Sequence, residues 1–288
     1  MDERILMAAG AMGLGALGWW LFRRRTLIGV VIVAGDGDLA SYPDWRGYLR
    51  TMAPDFVSVK ICDGTQAYRP STQSALIAAL RADGHTVHGW GWAYADSRDK
   101  AIGEADTALA LCGSLGLANY HWNAEKYWSG TVNPSVDTAG NAEAFISRWR
   151  QKGGPLVWAN ASSKGAARAP QQIAKFDFWE PMCYGGSAHE TAKAQFEHPG
   201  GRYQAYRGRR GRAVMISTGR LTDSGSPMGR WHDSVTGQPG YLTLLRRHKP
   251  HAVSFYRAPL NFDGNRYNPP LARQAAELRG QVQPNEVA

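Results

Sequence analysis

The chain has 288 residues and a mass of 31.5 kDa, with 43% hydrophobic and 20% charged residues. That apolar content fills a full core and excludes a disordered chain, and three cysteines exclude a scaffold held by several disulfides. Lys+Arg 33 against Asp+Glu 24 gives a net charge of +9, which suits an anionic partner such as nucleic acid, anionic lipid or an acidic wall polymer.

Ile5–Phe22 (ILMAAGAMGLGALGWWLF) is a run of 18 residues without a charge. As a helix it is about 27 Å long, close to the roughly 30 Å of a hydrocarbon core. Trp19 and Trp20 stand near its end, where interfacial tryptophan is favoured, and Arg23, Arg24 and Arg25 follow at once. A secretory signal has the opposite order, with positive charge before the apolar run, whereas here Asp2 and Glu3 precede it. Residues 1–25 therefore read as an uncleaved single-pass membrane anchor with its basic stop, residues 5–22 lying in the bilayer. The positive-inside rule puts the rest of the chain on the cytoplasmic side. Cys62, Cys112 and Cys183, an odd and reduced set, agree with that compartment.

Beyond Arg25, short apolar runs alternate with helical stretches. The runs are Ile28–Ala34, Phe56–Ile61, Thr86–Trp92, Ala118–Asn123, Leu156–Asn160, Phe176–Cys183, Ala213–Ser217 and Ala252–Tyr256. Each is rich in β-branched or aromatic residues and bounded by Gly, Pro, Asp or Asn, as strands are. Between them, Ser74–Ala82, Ala101–Leu115, Asn141–Gln151 and Tyr241–His248 are amphipathic, and Gly116 and Gly153-Gly154 follow two of them as stop signals. Eight βα units predict a (β/α)₈ TIM barrel over residues 26–280, preceded by one transmembrane helix and followed by a frayed tail, 281–288. A doubly wound sheet would show a Gly-rich phosphate loop after its first strand; Gly35-Asp36-Gly37-Asp38 is only a turn signal. Barrel active sites lie at the strand C-termini, so the pocket is expected to point away from the lipid.

The strand ends carry Asp63, then Trp90 and Trp92, then Asn123 and Glu125, then Trp158 and Asn160, then Trp179, Glu180 and Tyr184, and last Tyr256. Carboxylates ringed by Trp and Tyr are what a sugar site needs. Pyranose faces stack on aromatic rings, an acid with a raised pKa protonates the glycosidic oxygen, and a second carboxylate serves as base or nucleophile. Glu125, flanked by Trp122, Tyr127 and Trp128, is the best acid. Asp63 and Glu180 are its alternative partners. Trp90, Trp92, Asn123, Trp158, Asn160, Trp179, Tyr184 and Tyr256 are the expected cleft. Plainer roles stand beside these: Glu125 in an ion pair with Lys126 or an Arg, Asp63 as a turn residue before Gly64, Glu180 as a buried hydrogen-bond acceptor, and Trp90, Trp92 and Trp158 as core.

The order of these pieces resembles the family 25 glycoside hydrolases, the lysozyme-type muramidases, and the glycoside-hydrolase-like barrels around them. The likeness spans roughly Ile28 to Tyr184. Phe56-Val-Ser-Val-Lys-Ile-Cys-Asp-Gly-Thr65 looks like the family's early strand, Asn123-Ala-Glu125 like its Asp-x-Glu motif, Gly154-Pro-Leu-Val-Trp-Ala-Asn160 like its next strand, and Phe178-Trp-Glu-Pro-Met-Cys-Tyr184 like a later one. The resemblance implies a TIM barrel, a peptidoglycan-like N-acetylated glycan as partner, and Glu125 as catalytic acid. Two departures stand out. Asn123 replaces the family's Asp and is no carboxylate nucleophile, though it is suited to orient an N-acetyl group. The first strand lacks the family's Asp, with Asp36 and Asp38 arriving later. Two readings stay open: a membrane-anchored glycosidase, or a catalytically inactive glycan-binding or structural barrel.

A cytoplasmic-side barrel conflicts with work on a cell wall. One resolution is a membrane-containing bacteriophage, whose virion membrane would carry the barrel facing the capsid; the simpler one is a wall enzyme inserted against the charge rule. The eight histidines show no metal-ligand spacing, so no metal and no cofactor is expected. Gly200–Arg212 holds five Arg with two Tyr interleaved and reads as a solvated loop or a grip on phosphate or anionic lipid. No nucleic-acid module matches, and Cys183 reads as core rather than as a nucleophile.

Overall fold

The computed structural model describes residues 26–32, 45–124, 133–161, 163–183, 192–197, 203–217, 231–233, 237–256 and 270–281. The expected anchor at 5–22, Glu125, Tyr184 and most of the tail lie outside them. Among the described residues no helix is long and apolar enough to cross a membrane.

The strands are β1 (Leu27–Ile32), β2 (Phe56–Asp63), the two-residue β3 (Gln66–Ala67), β4 (Val87–Trp92), β5 (Asn119–Ala124), β6 (Leu156–Ala161), β7 (Phe178–Pro181), β8 (Gly211–Arg212), β9 (Val214–Ser217) and β10 (Ala252–Tyr256). Between and after them run α1 (Trp45–Met52), α2 (Pro70–Ala82), α3 (Arg98–Leu115), α4 (Thr138–Gln151), the short α5 (Ser163–Ala167) and α6 (Pro170–Ile173), α7 (Ala192–Glu197), α8 (Tyr241–His248) and α9 (Pro270–Leu278). The eight expected runs all contain strand. Helix α1, which no amphipathic stretch announced, buries Tyr48, Leu49 and Met52.

The sheet order is β8-β7-β6-β5-β4-β2-β1-β10-β9, with β3 folded back antiparallel on β2. Every other pairing is parallel. The two ends of that order, β8 and β9, are separated only by Ala213, and a bridge from Met182 to Met215 ties β7 to β9. The result is a nearly closed parallel α/β barrel.

Period-two alternation sends one side chain in and the next out. Val57, Val59 and Ile61 of β2 face outward into the main core with helix residues such as Leu76, Ile77 and Leu80. Phe56 faces inward, into a floor shared with Trp158, Phe178, Ala213 and Ala252. Both faces are buried, which is why the strands read as continuous apolar runs. Gly29 makes the floor possible: a Cβ there would lie 2.1 Å from Cζ of Phe56.

The helices stop where the sequence says, but α2 starts earlier at Pro70, α3 at Arg98 and α4 at Thr138, rather than at Ser74, Ala101 and Asn141. Ser97 caps α3, its hydroxyl accepting from the Lys100 amide at 3.3 Å, and Gly116 ends it in the left-handed region at φ 62°. Asp137 caps α4 by accepting from the Gly140 amide at 2.9 Å. Gly91 of β4 leaves room behind the strand for Tyr120 and Cys62, whose oxygen and sulfur are 3.1 Å apart. A Cβ at Gly91 would meet both atoms at 2.3 Å. Gly91→Ala is therefore expected to cost about 1–3 kcal/mol, read as a lower urea midpoint; an unchanged midpoint would mean that this layer yields. The pair is chemically quiet, since burial pushes the Cys62 thiol up to about 12.

Candidate active site

One row of paired residues crosses the barrel mouth. Asp63 pairs with Trp92, Trp92 with Asn123, Asn123 with Asn160, and Asn160 with Glu180. Five of the residues expected at the site are thus neighbours across β2, β4, β5, β6 and β7. The row sinks as it goes. The Asp63 side chain is 34% exposed, while Asn160 and Glu180 are at 0%. Asp63 and Trp92 are the accessible end, and Glu180 lies inside the barrel.

Asp63 is held from two sides. The Lys60 ammonium donates to its Oδ2 at 3.2 Å and the Tyr94 hydroxyl to its Oδ1 at 2.9 Å. Lys60 itself is boxed by aromatic faces, with Nζ 4.2 Å from the Tyr68 ring centre, 5.5 Å from Trp90 and 5.4 Å from Trp92. Cation–π attraction and the carboxylate together offset the burial of the ammonium. Trp90 donates its indole N–H to the Ile32 carbonyl at 3.1 Å and packs with Val31 and Met215. Trp92 is only partly buried, and its indole N–H has no hydrogen-bond partner among the described residues. Tyr256 packs at the edge of the same cluster.

Behind this wall stands Glu104 of α3. One oxygen accepts from the Tyr94 and Ala95 amides, both at 2.8 Å, and the other from the Trp122 indole at 3.3 Å. It pins a turn in which Ala95 has φ 37°, and so places the Tyr94 that holds Asp63. Burial raises the Glu104 carboxyl to about 7, against three hydrogen bonds that lower it. The folded state therefore holds this proton more tightly than the unfolded chain, and stability falls as pH rises from about 4.5 to 7. The contribution is about 3 kcal/mol at most. Glu104→Gln should remove it, so that the difference in Tm between the variant and the wild type moves in the variant's favour between pH 5 and pH 8. Parallel Tm profiles would count against a titrating Glu104.

Glu180 anchors a buried polar chain. It accepts from His121 Nδ1 at 2.7 Å, Asn160 Nδ2 at 3.1 Å and Ser254 Oγ at 2.5 Å. His121 Nε2 lies 3.0 Å from His88 Nδ1. With Glu180 ionised, His121 donates from Nδ1 and its Nε2 accepts from His88. Burial, with His121 and His251 nearby, holds His88 well below the ordinary histidine value, so it is neutral at pH 7. Every Glu180 oxygen is occupied and no surface reaches it, which is the geometry of a structural acceptor.

Three expected cleft residues do not line one: Asn160 is fully buried beside Glu180, and two tryptophans are core. Trp179 lies between inward-facing Phe178 and Glu180, so it points outward, and it packs edge-on against Tyr206 at 5.6 Å. Trp158 does face inward but belongs to the floor, stacked on His121 at 4.5 Å with its N–H on Asn119. Cys183 is fully buried. Glu125 and Tyr184 lie outside the described residues; in the chain Glu125 follows Ala124, the last residue of β5. Sequence reasoning missed Lys60, Glu104, His88, His121 and Ser254. Only Glu104 left a signal, a charge on the stripe of Ala101, Ala105, Ala108 and Cys112 that α3 buries. Among the described residues no cluster of His, Cys, Asp or Glu is placed to hold a metal.

The fold is a nearly closed parallel α/β barrel, an architecture whose active sites lie at the strand C-termini. No family profile matches the sequence, and no curated protein matches it. A GH18 chitinase from Pseudoalteromonas aurantia superposes with a TM-score of 0.60 at 9% identity, over 89% of this chain and 100% of that one. The spore cortex-lytic enzyme SleL of Bacillus megaterium QM B1551 gives 0.52 at 9% identity, over 84% and 72%. The modular autolysin LytC from Streptococcus pneumoniae gives 0.43 at 14% identity over 52% of this chain, which spans 37% of that protein. What the first two share with this chain is its fold.

Proposed function

We propose that the protein is a membrane-anchored, muramidase-like glycoside hydrolase acting on peptidoglycan or a related N-acetylated glycan. The observation that carries this reading is the register row that gathers Asp63, Trp92 and Asn123 at the barrel mouth, Asn123 standing two residues before Glu125 in the chain. Glu125 is the general acid that protonates the leaving oxygen, and Asp63 is the second carboxylate. Trp92, partly buried, offers a ring face to a sugar. Asn123 faces an N-acetyl group. Support comes from the shared fold, since the two well-matched barrels are named a chitinase and a spore cortex-lytic enzyme. Glu180 is assigned a positioning role beneath the site, not a catalytic one.

A second reading, a glycan-binding barrel without activity, is favoured by Asn123 in place of an acid and by Asp63 being held by both Lys60 and Tyr94. The test is reducing-end release by the full chain from purified peptidoglycan and from N-acetylglucosamine oligomers, beside a pull-down on the same glycans. Release supports the hydrolase; retention without release supports the binding barrel; neither overturns both. Residues 5–22 are assigned as the anchor, with the barrel on the cytoplasmic side or, in a membrane-containing bacteriophage, facing the capsid. Protease digestion of the barrel from the periplasm of intact, uninfected cells would overturn that placement.

A further inference from the structure

We propose that the N-terminal face of the barrel is a contact surface for anionic phospholipid headgroups. Parallel strands put all their N-termini on one face, together with the turns that lead into them. The acids in those turns are already matched. Asp55 lies 3.9 Å from Arg279, Asp83 is 2.9 Å from Arg46, and Asp177 is 2.8 Å from Arg150 and 3.5 Å from Arg210. Exposed Arg207, Arg209, Arg246 and Lys249 have no carboxylate within ion-pair distance among the described residues, and Lys152 meets only the field of Asp106, which Arg148 already pairs. The face is left strongly positive while its negative charge is spent internally.

Helix C-termini attract cations, and that accounts for Lys152, Arg246 and Lys249. It does not account for Arg207 and Arg209, which stand in no helix. They belong to the Arg-rich segment before β8, and backbone bonds from Arg209 to Phe176 and from Arg210 to Asp177 fix that segment on this face.

On the same face a cavity of about 410 Å³ is lined by Thr26, Arg246, Lys249 and Arg279, with Leu245 and Leu278 as an apolar wall. Arg246 and Lys249, without a carboxylate of their own, beside two leucines suit a phosphate that continues into a glycerol and acyl chain, while Arg279 is shared with Asp55. Thr26 directly follows Arg25 in the chain, and its hydroxyl donates to the Pro250 carbonyl at 2.9 Å. The face thus lies where the basic stop and the uncharged run join the barrel, which favours lipid over nucleic acid. The orientation rests on the reading of residues 5–22 as an anchor; the charge does not.

The test is co-flotation of the full chain with vesicles of phosphatidylcholine alone, or with 30 mol% phosphatidylglycerol added, at low and high salt. Each surface cation is worth roughly a fivefold change in binding near an anionic bilayer. The pair Arg209→Glu and Lys249→Glu should therefore lower the preference for anionic vesicles by roughly 25-fold or more, leaving partition onto neutral vesicles unchanged. Arg98→Glu with Lys100→Glu, at the opposite end of the barrel, should leave both unchanged. Flotation on anionic vesicles alone would sink the anchor and keep the face. Equal flotation on both compositions would sink the face and keep the anchor. No flotation overturns both, and tighter capture by duplex DNA, lost in the same double variant, would reassign the surface.

Discussion

Glu180→Ala is expected to lower the unfolding free energy by about 3–5 kcal/mol. The substitution removes the acceptor of three buried donors, His121 Nδ1, Asn160 Nδ2 and Ser254 Oγ. A buried donor left without a partner costs about 1–3 kcal/mol, and the lost Cγ and carboxylate leave a void in the barrel interior. Against this stands relief of the desolvation cost of a carboxylate that faces no lysine or arginine in its hydrogen-bond shell. The orphaned donors outnumber that single gain, so loss wins. Glu180→Gln keeps the shape and one acceptor oxygen and should cost clearly less, because only one of its two terminal groups meets a donor it cannot serve. Urea unfolding of both variants decides the point. An alanine variant within about 1 kcal/mol of the wild type would mean that the histidine chain finds water or rearranges.

Glu125→Gln is expected to reduce glycan cleavage by roughly 10²–10⁴-fold, the range a positioned proton donor supplies. Glutamine matches the shape of glutamate and has no acid proton to give a leaving alkoxide. The loss should fall on kcat with KM nearly unchanged, because the proposed mechanism assigns binding to Trp92, Asn123 and the rest of the mouth. An equal Tm for variant and wild type separates lost chemistry from lost fold. A variant that cleaves as fast as the wild type would remove Glu125 from the mechanism and move the acid to Asp63.

The barrel was legible because it is written locally. Each strand is a short apolar run, and helices end at Gly116 and at Gly153 beyond Lys152, positions that need positive φ. The strand ends were legible as positions: Asp63, Trp92, Asn123, Asn160 and Glu180 share one row. What could not be read was which side each residue faces. In a strand buried on both faces, hydrophobicity does not set the phase, so outward Trp179 and inward Glu180 looked alike. Nor does sequence show that β4 and β5 bring His88 and His121 into contact, since a bond across 33 positions has no local spacing.

The closing seam has a consequence for how the chain is made. Strand β1 pairs on one side with β2, which follows it closely, and on the other with β10, where Leu27 meets Ala252. Emerging from the ribosome, β1 can gain its first neighbour early, but its second only after nearly all the rest of the chain has appeared. Until then the growing sheet keeps an open edge of bare N–H and C=O groups along Leu27–Ile32. Such long-range closure slows folding and exposes that edge to misassociation. The nascent protein therefore passes through a stage in which its first strand waits for its last, and truncations that remove Ala252–Tyr256 should leave that edge unsatisfied rather than yield a smaller stable barrel.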